Sequence, residues 1–373
     1  MKIAIDARAI LWTGIATYVK NLLLQYAATS SSHQFVVLIP DRWEQQARKT
    51  IGKLPEQFTL VPVTASYYSW QEQTIFLRQL NALDVDFVHF THFNVPLLYR
   101  KPYVVTIHDA TRFIFPGQKH QHLLKQLMYE VVFSRAVARA CHVIFVTEHT
   151  RREVEALPLS LPKNSSVIYE GIHDRFFEPI GALQRQKVRS LIGTSNPYLL
   201  YVGVWMSHKN IRRILDSFVE LRNRYPDLKL VITGKPVPGY TNALRYAQRL
   251  NVVDHVIFPG YVSNELLPAL YSEAACFVFP SLYEGFGLPP LEAAACGTPV
   301  VTSNVSSLPE VMGFAAVYVN PESIRSITMG VRMVLDNPSE RRAYVEKGKN
   351  QAARFSWELA AQQHLGVYEE AGA

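Results

Sequence analysis

Apolar residues in this chain come in short runs separated by longer segments of helical period. In the first half, the runs Lys2–Asp6, Gln34–Ile39, Phe87–Phe90, Tyr103–Ile107, Val143–Val146 and Val167–Tyr169 predict buried strands. Helices are predicted between them, notably Ile15–Ala28, Leu123–Ala140 and His149–Ala156. The texture then changes. Gly171 to Pro197 carries Pro179, Gly181, Gly193, Asn196 and Pro197 around one basic helical patch, and the connection between two domains is placed there. A second series of strands starts at Tyr198–Gly203 and continues with Leu228–Gly234, Val256–Pro259, Cys276–Pro280, Pro299–Thr302 and Ala315–Val319. This alternation predicts an α/β chain whose parallel sheets are covered on both faces. Two doubly wound, Rossmann-like domains of about six strands each, facing a cleft, would satisfy it. At the end, Trp357, Ala361, Leu365 and Tyr368 recur at helical spacing.

A chain of 373 residues is too long for one core, which agrees with two domains. The opening Met1-Lys2-Ile3-Ala4-Ile5-Asp6-Ala7-Arg8 reads as a strand rather than a leader, and no apolar run is long enough to span a bilayer. A cytoplasmic location is expected. Cys141, Cys276 and Cys296 have no metal-type spacing and read as small core residues of a reducing compartment. The net charge of +7 suits anionic partners such as nucleotide diphosphates or acidic lipid. No Arg-rich run or aromatic RNA-binding pattern is present, so nucleic acid is set aside. In Leu123–Ala140, apolar Leu123, Leu124, Leu127, Met128, Val131 and Val132 accompany basic Lys125, Arg135 and Arg139. The favoured reading is a helix whose apolar face meets the core and whose basic side is solvated; a peripheral contact with an anionic membrane is the alternative.

The chemistry concentrates in Pro280-Ser281-Leu282-Tyr283-Glu284-Gly285-Phe286-Gly287-Leu288-Pro289-Pro290-Leu291-Glu292-Ala293. A buried strand precedes it and a helix former with a proline pair in its first turn follows, so the unit is strand, glycine turn, helix. Such a turn offers backbone N–H groups and a positive helix end to an anion. Glu284 in the turn and Glu292 about two turns further on can accept only, which suits sugar hydroxyls. Phosphate donors beside hydroxyl acceptors suggest a nucleotide sugar.

This Glu, seven residues, Glu arrangement with Gly-Phe-Gly inside it resembles the signature of retaining glycosyltransferases of family 4, which have the GT-B fold. The resemblance spans nearly the whole chain and implies an N-terminal acceptor domain over 1–172, completed by a crossing helix over 357–373, and a nucleotide-sugar donor domain over 173–356. In Leu11-Trp12-Thr13-Gly14-Ile15-Ala16-Thr17-Tyr18, Gly14 matches a loop reaching toward the donor diphosphate. A dinucleotide-binding domain would show Gly-x-Gly-x-x-Gly there, and only one of its glycines exists. His108, after the strand Tyr103–Ile107 in a run that continues to Phe115-Pro116, would contact the sugar, with Asp109 orienting it or meeting the acceptor. In Gly203-Val204-Trp205-Met206-Ser207-His208-Lys209-Asn210, Lys209 matches the lysine that offsets charge on the departing diphosphate. His208 and Val204 stand where the family commonly has arginines. Gly234 and Lys235, with Tyr261 and Val262, would hold the nucleobase. The Gly285, Phe286, Gly287 and Leu288 backbone would cradle the phosphates, Glu284 orient the sugar and Glu292 bind the ribose. Ser306-Ser307-Leu308-Pro309-Glu310-Val311 matches a further segment near the donor.

The expected reaction is transfer of a hexose from a nucleotide diphosphate sugar, GDP-mannose first and a UDP-hexose or dTDP-deoxysugar next, to a glycan or lipid-linked glycan acceptor in surface polysaccharide or lipopolysaccharide synthesis. Catalytic roles fall to His108, Glu284 and Lys209. Asp84-Val85-Asp86 leads into a strand, away from the ligand end, so it reads as a turn; no metal and no cofactor are expected. The competing readings are a GT-B epimerase or phosphorylase and an inactive nucleotide-sugar-binding scaffold.

Overall fold

The protein is described from a computed structural model, which covers residues 1–12, 14–29, 32–114, 123–160, 164–237 and 242–372; for 112, 114 and 123–125 only the backbone is described. The chain divides into two compact units, Met1–Gly171 with Trp357–Ala373 and Ile172–Ser356. Phe115 and Pro116, and the side chains of Leu123, Leu124 and Lys125, lie outside the described residues.

The first unit is built on strands β1 (Lys2–Asp6), β2 (Gln34–Pro40), β3 (Phe58–Val63), β4 (Phe87–Phe90), β5 (Tyr103–Ile107), β6 (His142–Phe145) and β7 (Ser165–Val167). Among the described residues they form a seven-stranded parallel sheet in the order β3-β2-β1-β4-β5-β6-β7. The sheet therefore has one strand more than the apolar pattern suggests. The extra one is β3, which carries Pro62 and sits at the sheet edge, where a missing N–H is tolerated. Alternate residues of each strand enter opposite cores: Ala4, Val88 and Val105 on one face, Ile3, Ile5, Phe87 and Val104 on the other. The second core also receives the helix Ile15–Ala28 and, from the far end of the chain, Trp357, Ala361 and Tyr368 of the helix Trp357–Gly372.

The second unit contains β8 (Tyr198–Val202), β9 (Lys229–Thr233), β10 (Val256–Gly260), β11 (Cys276–Phe279), β12 (Val300–Ser303) and β13 (Ala316–Val319), parallel and ordered β10-β9-β8-β11-β12-β13. Both sheets reverse strand order beside their first strand, between β1 and β4 and between β8 and β11. A reversal parts the loops leaving the carboxyl ends of the two strands and opens a crevice.

Two expectations are corrected. The helix Leu123–Arg139 turns Tyr129, Val132, Phe133, Ala136 and Val137 to the core, while Leu127, Met128 and Val131 are exposed. Aromatic Tyr129 and Phe133 displaced them because Phe93 and Phe113 pack against both rings. Cys141 is exposed, at the turn into β6, whereas Cys276 is buried in β11.

Candidate active site

At the β8/β11 reversal, the loop after β8 closes a short turn, Ser207–Lys209, and the chain reverses at Asn210, whose φ of 60° is left-handed. Asparagine tolerates that region. Its amide then donates to Pro280 O at 2.8 Å and Pro321 O at 2.7 Å, tying the β8 loop to the β11 loop. Leu282 N donates to His208 O at 2.7 Å, and Ser281 Oγ lies 3.1 Å from the same carbonyl. With both loops fixed, Lys209 Nζ lies 2.7 Å from each carboxylate oxygen of Glu284. Both side chains are largely enclosed, so the pair is screened less than a surface ion pair.

Glu284 is held from the other side by the loop after β12. Its N–H donates to Ser306 Oγ at 3.0 Å, and Ser307 Oγ lies 2.9 Å from both Glu284 O and Phe286 O. Ser306 adopts a φ of 62°, which aims its hydroxyl at this loop. Gly287, at φ 104°, precedes the helix Leu288–Ala295, whose first turn contains the proline pair. Gly285 to Leu288 thus run into a helix N-terminus directly after the Lys209–Glu284 pair.

Glu292 has a different partner. Tyr271 donates its hydroxyl to Glu292 Oε2 at 2.9 Å. Burial pushes the Glu292 carboxyl up to about 7, against the lowering influence of that hydrogen bond and of Arg175. Along the sheet, Gly203 and Gly234 follow β8 and β9, and Gly260 ends the adjacent β10. A Cβ at Gly234 would lie 1.9 Å from Gly203 O, and φ there is +122°, so only glycine lets these loops meet. Lys235 Nζ lies 5.5 Å from the ring centroid of Tyr261, which is exposed, while Val262 is buried.

In the first unit, His108 follows β5. Its Nε2 donates to Thr91 O at 3.0 Å, and its Nδ1 lies within hydrogen-bond distance of Glu170 Oε1, at 3.2 Å. Tyr18, from the helix that Gly14 starts, packs edge-on against the imidazole at 4.7 Å. The expectation that Asp109 orients His108 is corrected. Asp109 Oδ1 accepts from Thr111 N at 2.8 Å and closes a local turn, so buried Glu170 holds the ring instead. Glu170 is 62 positions away from His108, and no local pattern links them. Asp84 and Asp86 lie at the amino end of β1, where Asp86 Oδ2 accepts from Lys2 N at 2.8 Å.

The structure therefore joins Lys209 with Glu284, Gly203 with Gly234, and Lys235 with Tyr261, and it gives Glu292 and His108 partners of their own. Glu170 and Tyr271 escaped sequence reasoning as site residues, whereas Ser306 and Ser307 were read only as part of a segment near the donor. The serine pair carried the one usable signal, two small hydroxyls directly before a helix.

Comparison with known proteins bears on this arrangement. The family profile described as Glycosyltransferase Family 4 matches residues 12–176, and that described as Glycosyl transferases group 1 matches residues 184–351. An uncharacterized glycosyltransferase of Methanocaldococcus jannaschii is 31% identical over 75% of this chain and 72% of its own. The chain belongs to glycosyltransferase family 4. The O-antigen chain mannosyltransferase B of Escherichia coli is 39% identical to this glycosyltransferase over 46% of the chain, and the match spans 45% of that relative's length. A solved structure of Anabaena HepE in complex with UDP-glucose aligns over 99% of the glycosyltransferase and 100% of its own chain, with a TM-score of 0.79 at 16% identity. The likeness shows the GT-B fold. Among its described residues, no helix is long and apolar enough to cross a membrane.

Proposed function

We propose that this glycosyltransferase moves a mannosyl residue from GDP-mannose, with retention of configuration, to a glycan or lipid-linked glycan acceptor in surface polysaccharide assembly. The observation carrying the reading is Lys209 Nζ at 2.7 Å from both oxygens of Glu284, directly before a helix N-terminus. An ammonium there can turn from the carboxylate to a diphosphate oxygen as charge develops on the leaving group. The amide groups at Gly285–Leu288 add to that stabilisation without reorganising. Released from Lys209, Glu284 accepts hydroxyls of the sugar. Glu292, when ionised, accepts the ribose diol, and Lys235 with Tyr261 borders the base. These cationic and helix-end groups supply the diphosphate's counter-charge in a metal-independent reaction.

Support for mannose comes from the name of the E. coli relative. HepE was solved with UDP-glucose, so a UDP-hexose is the next donor to test. In this reading the second unit holds the donor and the first unit receives the acceptor.

A thermal-shift series with GDP, UDP, dTDP and ADP, each with and without Mg²⁺, followed by donor turnover, tests it. GDP alone should raise Tm by mass action. A rise with UDP only would overturn the mannosyl donor. No rise with any nucleotide would remove the donor site.

A further inference from the structure

We infer that Trp12, Tyr67, Tyr68 and His92 form a stacking platform for an uncharged oligosaccharide, the acceptor chain of the reaction proposed above. The four residues come from three loops at the carboxyl edge of the first sheet: Trp12 after β1, Tyr67 and Tyr68 after β3, and His92 after β4. β1 and β4 flank that sheet's strand-order reversal, so the platform lies where the topology opens a crevice. The rings are contiguous: Trp12 to Tyr67 is 4.6 Å between centroids, Tyr67 to His92 is 5.4 Å and Tyr68 to His92 is 6.4 Å. Trp12 and Tyr68 nevertheless remain 39% and 49% exposed. The platform also abuts His108, whose Nε2 donates to the carbonyl of Thr91, the residue before His92.

Aromatic burial alone would not leave Tyr68 exposed, and its backbone shows that it is held there. Its φ is 60°, a left-handed region that is strained for a bulky residue. Tyr68 N donates to Glu72 Oε2 at 3.1 Å, and Glu72 Oε1 accepts from Arg8 Nη1 at 2.9 Å. Arg8 in turn is paired with Asp6 through Nε at 2.8 Å and Nη2 at 2.7 Å. Its guanidinium lies between the Tyr67 ring, 4.2 Å away, and the Phe76 ring, 3.8 Å away. A buried ion network therefore fixes the display of surface rings.

The charge of that network selects the occupant. Arg8 is committed to Asp6, Glu72 and Asn94 O, so its guanidinium is not available to a phosphate. Burial raises Glu72 while Arg8 opposes the shift, so the cluster holds at most one excess negative charge and never a spare positive one. A lipid phosphate would be repelled. A pyranose instead offers a C–H face to the rings and hydroxyls to polar groups. Tyr67 Oη and Asn94 Oδ1 are buried here without hydrogen-bond partners, and a hydroxyl reaching either would pair it.

The test uses the whole chain with mannotriose, maltotriose and decyl phosphate as probes. Saturation-transfer NMR should show ring-face protons of at least one trisaccharide against the protein, and no transfer to decyl phosphate. Trp12→Ala and Tyr68→Gly should each weaken trisaccharide binding about three- to tenfold, the second keeping a backbone that favours positive φ. The Tm rise with GDP should be the same in both variants. Unchanged trisaccharide binding in the two variants, no transfer to either trisaccharide, or transfer to decyl phosphate alone would overturn the platform. Trisaccharide binding that depends on these rings, in a protein that no nucleotide stabilises, would support the platform and sink the transferase reading instead.

Discussion

In the second unit, Lys209 follows β8 and Glu284 follows β11, and they meet on opposite sides of the strand-order reversal. The first unit has the same reversal, but its charged groups lie deeper. Asp6, Arg8 and Glu72 are sealed under aromatic rings. A second buried chain runs from Tyr26 through Tyr368, His89, Thr106 and Tyr18 to His364, linking the last helix to the sheet. The second unit thus keeps its Lys209–Glu284 pair at the loop edge, available to a ligand; the first uses these buried groups to fix the positions of elements distant in sequence. Two sheets with one strand order can therefore place polar groups for different purposes. The difference predicts that substitutions will cost activity in one unit and stability in the other.

The largest effect should come from Arg8→Ala, which leaves Asp6 and Glu72 buried without their cation. Loss of about 3–5 kcal/mol is expected, read from urea unfolding. A change below about 1 kcal/mol would show that the network is not structural and break the comparison. Next, Lys209→Ala and Glu284→Gln should each lower kcat about 10²- to 10³-fold with Tm close to the parent's. Near-normal turnover in either would move the site elsewhere.

The smallest effect is one of sign. The Glu292 carboxyl is pushed up to about 7, so the native second unit holds a proton that the unfolded chain gives up. Its contribution to stability falls as pH rises from about 4.5 to 7, and Glu292→Gln should gain up to about 3 kcal/mol on the parent across that window. His364 is buried and pushed down to about 4, so the unfolded chain takes up a proton first. That contribution is lost as pH falls from about 6.5 to 4, and the parent's advantage over His364→Gln should narrow over the same range. Calorimetry from pH 4.5 to 7.5 reads both slopes. Slopes of the same sign would refute the burial account of one unit.

Legibility followed the same division. Pro280–Ala293 is continuous in sequence, and its strand, turn and helix were readable because each follows from neighbouring residues. Lys209 was readable for the same reason, at the end of a strand before a helix. Glu170 was not, since nothing within several residues of it indicates His108. Asp109 was the natural choice as partner because it adjoins His108, but its carboxylate meets the N–H of Thr111 first. His364 fell between the apolar positions of the last helix and was passed over, although the hydroxyl of Tyr18 and the carbonyl of Ala360 satisfy both its nitrogens inside the core.

By itself, the amino-acid sequence determined the alternating elements, the two doubly wound units, and the carboxylates and lysine at the ends of strands in the second unit. These depend on periodicity, turn chemistry and residues a few positions apart, all interactions the chain makes with its immediate neighbours. Only the tertiary structure decided that Lys209 reaches both oxygens of Glu284, that Glu170 holds His108, that Tyr271 meets Glu292, and that Arg8 supports a surface of rings. Each joins segments distant in sequence, loops in most cases and two helices for Tyr271 and Glu292, and a buried polar group takes whichever partner packing delivers.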